Sequence, residues 1–142
     1  MIQKYIITFS ILLYAFVVPY MELNSTNVFN PDWTPHVRIH EVWQLITNSS
    51  FGILSLWLTW SRGKIILIST ISLIITGGFI VAFSLKNTYG GSMKYLDGSE
   101  YTLFGFNLGI VVFGLVAILL IATVSLELWK LKNAKQNNQC NA

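Results

Sequence analysis

Apolar positions are gathered into four long blocks separated by three short polar connections. The first block is "YIITFSILLYAFVVPYM" (5–21), in which tyrosines are the only ionisable side chains. The second runs from about Pro35 to Trp60, polar over its first third and apolar in "FGILSLWLTW". The third is "IILISTISLIITGGFIVAFSL" (65–85), and the fourth "FGFNLGIVVFGLVAILLIATVSLELW" (104–129) is long enough to require tilt. Each approaches the roughly 20 apolar residues that cross a bilayer. Open strands leave backbone groups unsatisfied in lipid, so helices are expected. The pattern therefore predicts an all-α fold, a four-helix transmembrane bundle. Its helices fall at about 4–21, 35–60, 65–85 and 104–129, within one transmembrane domain spanning 1–132.

Composition supports this class. Of 142 residues, 54% are hydrophobic and only 11% charged, against roughly 25% charged in soluble domains. Lys4, Arg62, Lys64, Lys130, Lys132 and Lys135 fall on one side of the predicted bundle, and Arg38, Lys86 and Lys94 on the other. By the positive-inside rule both termini are cytoplasmic, which suits a cell (inner) membrane and places residues 22–34 and 86–103 outside. The net charge of +3 follows from this topology and gives no reason to invoke nucleic acid. The first block is read as a retained helix, because "VVPYMELN" lacks the small residues of a cleavage site. The polar tail, 133–142, has nothing with which to form a core and is predicted disordered. It holds Cys140, the only cysteine, so no intramolecular disulfide can form.

The candidate chemistry lies in "FNPDWTPHVRIHE" (29–41), which holds both histidines. Asn-Pro and Thr-Pro disfavour helix before each proline, whereas Thr34 and Pro35 suit the cap and first residue of a helix. From that start, His36, His40, Gln44 and Asn48 share one stripe, with Glu41 beside it. Ionisable groups at membrane depth are functional candidates. Accordingly His36, His40 and Glu41 are the candidate acid, base or ligand groups. Arg38, Trp33, Trp43, Gln44 and Asn48 are the candidate ligand-binding residues. If a metal binds, His36 and His40 have the i, i+4 spacing to hold it; no cofactor is specified. The competing expectation is interfacial: Trp33 and Trp43 anchor at headgroup level and Arg38 pairs with lipid phosphate or Asp32.

Other features are weaker. "YGGS" and "LDGS" are turn signals that permit a small hairpin across "MKYL", over the bundle mouth. Gly105 and Gly109 offer a small-residue face for helix contact, and Asn107 is placed to reach Asn48 or His40.

"NSTNVFNPDWTPHVRIHEVWQL" resembles the signature of a family of small, functionally uncharacterised four-span integral membrane proteins, reading roughly F-N-P-x-W-x-P-H-x-R-x-H. Phe29, Asn30, Pro31, Trp33, Pro35, His36, Arg38 and His40 match, whereas Asn27 stands where a further histidine is expected. The resemblance implies that this loop is the family's centre and implies no reaction. In outline only, the layout is also similar to sterol-isomerase-like membrane proteins, which use His and Glu in a membrane cavity. Two functions follow as expectations. In one, an apolar or lipid-like small molecule is bound or transformed at an outward-facing His/Arg/Glu site. In the other, the chain is a non-catalytic accessory or interaction subunit. In both the bilayer is the first partner, and the oligomeric state is open.

Overall fold

A computed structural model describes residues 1–140. Helix α1 (Ile2–Leu12) runs through one π-helical stretch (Leu13–Val17) into α2 (Val18–Glu22), so that Ile2–Glu22 forms a single span. Helix α3 (Pro35–Ser61) turns at 62–64 into α4 (Ile65–Tyr89). A short antiparallel pair, β1 (Thr102–Leu103) and β2 (Phe106–Asn107), precedes α5 (Leu108–Cys140). Three segments are long and apolar enough to cross a membrane: Ile2–Glu22, Ile65–Tyr89 and Leu108–Gln139. They mark an integral membrane protein. At about 1.5 Å per residue, the 27 residues of α3 also have the length to cross, but polar residues fill its first third.

The core forms where α1, α4 and α5 meet, around Ile7, Ile11, Tyr14, Ile68, Phe113, Val116 and Leu120. Large apolar side chains such as Phe16, Ile53, Ile74 and Ile118 remain exposed around the outside, as expected where lipid is the solvent. Lipid gives apolar helices little reason to associate, so close packing at small residues and interhelical hydrogen bonds hold such bundles. Both occur here. A Cβ added at Gly52 of α3 would collide with Ala15 Cβ, and Ser49 Oγ donates to Ala15 O at 2.8 Å. Farther toward the termini, Trp60 Nε1 donates to Thr8 Oγ1 at 3.0 Å.

Helix boundaries differ from the sequence expectation in instructive places. Phe104 (φ 52) and Gly105 (φ 83) both lie in the left-handed region and reverse the chain between β1 and β2. Helix α5 therefore begins at Leu108, not at 104, and Gly105 is a turn residue with no neighbouring helix against it. Gly109 does face α4, because a Cβ there would lie 3.2 Å from Phe79. The strand pair falls after the expected "MKYL" hairpin, although "YLDG" does form a turn, with Gly98 N donating to Tyr95 O at 2.9 Å. Helix α4 continues to Tyr89, where Gly90 (φ 72) ends it in a left-handed cap. Helix α5 runs through 133–140, the stretch whose composition predicts disorder; the last two residues of that tail lie outside the described residues.

Candidate functional site

Short polar side chains build the first connection, 23–34, by replacing backbone partners. Asn24 Oδ1 accepts from Thr26 N (2.7 Å) and Asn27 N (3.0 Å). Asn30 is buried; its amide donates to Thr26 O (2.8 Å), and its oxygen accepts from Asp32 N (2.9 Å). Arg38 closes the loop from α3, with Nη2 donating to Asn30 O (2.8 Å) and Pro31 O (3.3 Å). The expected anion-holding guanidinium is thus engaged with loop carbonyls instead of Asp32. Thr34 caps α3, its hydroxyl accepting from Val37 N at 3.4 Å with Pro35 in the first turn. That start sets the phase of everything after it.

His36 and His40 are both exposed, and their Nε2 atoms lie 3.1 Å apart. Their rings meet nearly edge to face at 75° with centroids 4.5 Å apart. Trp43 continues the row, 5.9 Å from His40 between ring centroids. Gln44 is exposed on the same side, whereas Asn48, a turn deeper, is half-buried. Glu41 takes another direction. It is half-buried, and its charged neighbour is Glu22 at the end of α2, beside Asn27. The structure therefore brings the two histidines together and holds Glu41 on the loop side of the helix. Trp33 is half-buried in the loop. Among the described residues, no group of three His, Cys, Asp or Glu side chains converges to hold a metal, and the only ion pair is Lys130–Glu127 at 2.7 Å.

Thr26 Oγ1 accepts from Leu96 N at 3.2 Å, tying the two outer connections together. Beside that tie lies an open cleft of about 600 Å³, lined by Tyr20, Asn24, Thr26, Tyr95, Asp97 and Tyr101 among others. None of His36, Arg38, His40, Glu41 and Gln44 lines it. Burial, aided by nearby Tyr101, Glu22 and Asp97, pushes the Tyr95 phenol above its ordinary range. Hydrogen bonds from the Ser99 hydroxyl and amide hold Asp97 below its own. Asn107 does not reach α3; it donates to Glu100 Oε1 (3.0 Å) and accepts from Ile110 N (3.2 Å), capping α5.

One polar feature went unread in the sequence. Ser10 and Tyr14, Ser55 and Thr59, and Ser69, Ser72 and Thr76 are all buried, each set at helical spacing on α1 and its π stretch, α3 or α4. The Tyr14 hydroxyl faces those of Ser55 and Ser72, the hydroxyls of Ser10, Thr59 and Ser69 make no hydrogen bond, and Thr76 donates to Ser72 O at 2.8 Å. Together they form a hydroxyl seam between three helices. Its signal was the recurrence of Ser and Thr at i, i+3 and i+4, which average hydropathy conceals.

No protein-family model, no curated protein and no solved structure matches this chain.

Proposed function

We propose that the chain is a four-span protein of the cell (inner) membrane with cytoplasmic termini. On this reading it is a non-catalytic accessory subunit that docks against another membrane protein through the outer end of α3. One observation carries the docking reading: His36, His40, Trp43 and Gln44 are exposed together on α3, apart from the tyrosine-lined cleft. An active site needs walls around its reacting groups, whereas a docking surface needs accessible ones. The six-to-three distribution of Lys and Arg supports the topology. Photo-crosslinking in intact cells tests the function. A crosslinker at Trp43 should give a discrete protein adduct that the equally exposed Ile53, farther along α3, does not give. Lipid adducts alone at both positions would remove the docking reading.

A second reading has its own support. The tyrosine-lined cleft has a volume within the range of small-molecule sites, about 300–1,000 Å³. Here the ligand is an apolar or lipid-like small molecule with a polar head against Asn24 and Thr26. Mass spectrometry of protein purified with native lipids should find a retained compound that Tyr95→Ala loses. An identical lipid profile for both proteins would exclude this reading.

A further inference from the structure

Two imidazoles on one exposed helical face invite a comparison with ligand geometry. Zinc–nitrogen bonds are about 2.0–2.1 Å long. Two such bonds therefore place their nitrogens about 3.3 Å apart at a tetrahedral angle and about 2.9 Å apart at a right angle. The Nε2 atoms of His36 and His40 are 3.1 Å apart, between these values. Both rings are exposed and can turn slightly to aim their lone pairs at one point. The two nitrogens are within hydrogen-bond distance of each other, and a cation seated between them would replace that contact.

We propose that His36 and His40 form a two-nitrogen bite for a late first-row divalent cation, Zn²⁺ or Cu²⁺, at the outer end of α3. The donor set selects the ion. Ca²⁺ and Mg²⁺ need oxygen ligands, and no carboxylate joins the two imidazoles in a group of three among the described residues. Imidazole nitrogen suits zinc, copper and nickel. Arg38, whose positive charge would oppose binding, is held by the carbonyls of Asn30 and Pro31. Because no third His, Cys, Asp or Glu joins the pair among the described residues, the remaining coordination positions stay open. That distinguishes the site from a closed structural centre and makes it exchangeable. The proposal requires no docking partner.

The test uses the full chain without a polyhistidine tag, reconstituted in lipid nanodiscs and titrated with Cu²⁺ and, separately, Zn²⁺. Electron paramagnetic resonance should show one Cu²⁺ per chain with two equatorial imidazole nitrogens. His36→Ala or His40→Ala should leave one such nitrogen and weaken Zn²⁺ binding roughly 10- to 100-fold, a loss known even from changes outside the ligand set. Circular dichroism and melting temperature should be unchanged, because both side chains are exposed. Glu41→Gln and Cys140→Ser should bind as the parent does. Absence of Cu²⁺ binding, or a spectrum and affinity retained by the double histidine variant, would overturn the proposal.

Discussion

At the outer end of α3, His36, His40, Trp43 and Gln44 are exposed, whereas Gly52, Ser55 and Thr59 farther along the same helix are buried against α1 and α4. Hydropathy separates only a polar first third from an apolar remainder and does not show which residues are buried. The difference is one of size. A hydroxyl or a hydrogen atom lets helix backbones approach closely, and close approach stabilises helices in lipid. An imidazole or indole prevents that approach and is left facing outward. In this bundle the small polar residues join the helices, and the large ones meet the surroundings.

The contrast is testable, with the largest effect expected at the tightest contact. Gly52→Leu should prevent a stable bundle, and Gly52→Ala should cost about 1–3 kcal/mol by overpacking against Ala15. Thermal unfolding in detergent measures both, and an unchanged midpoint for Gly52→Ala would mean that the helices do not touch there. At the outer end the comparable effect comes from backbone ties. Arg38→Ala should destabilise the 23–34 connection by about 1.5–3 kcal/mol, because charged donors to Asn30 O and Pro31 O are lost. Hydrogen exchange should then quicken at Asp32 and Trp33, with α5 unaffected.

Smaller effects follow for the two polar sets. Thr59→Val removes a buried hydroxyl that makes no hydrogen bond, so stability should hold or rise by up to about 1 kcal/mol. A loss of more than that would show the seam to be hydrogen-bonded across helices. The smallest change is expected for His36→Ala with His40→Ala, within about 0.5 kcal/mol for exposed side chains. A larger loss in the absence of metal would mean that the imidazoles pack against the fold.

Much of the frame was legible. Thr34 and Pro35 locate the start of α3, because a cap and a first-turn proline act locally and need no tertiary information. The stripe through His36, His40 and Gln44 follows from that phase. Which way the stripe faces was not legible, since periodicity relates positions on one helix and is silent about the neighbour. Glu41 illustrates this: one residue from His40 in sequence, it has Glu22 for its neighbour. The start of α5 was misplaced for another reason. Phe104 takes a left-handed conformation that bulky residues rarely adopt, and "FGFN" resembles apolar helix by composition. The anchoring role of Arg38 depends on where carbonyls 30 and 31 arrive, which is a tertiary fact.

The π-helical stretch Leu13–Val17 bears on what length changes the first span can absorb. Such a stretch fits an additional residue into a helical turn, so it keeps the two halves of the span in phase. Deleting Phe16 would convert it to ordinary α-helix and leave the direction of Tyr20 and Glu22 relative to Ile7 and Ile11 unchanged. Inserting an alanine after Val18, with the π turn already occupied, would instead rotate both by about 100°. The inner packing would survive, while Thr26 would be carried away from Leu96 and the tyrosine-lined cleft would lose one wall. Cysteine accessibility at positions 20 and 22 would report the rotation. Beyond the residue that the π turn absorbs, residue count in this span thus acts as a dial for the orientation of the outer surface, separable from the stability of the bundle beneath it.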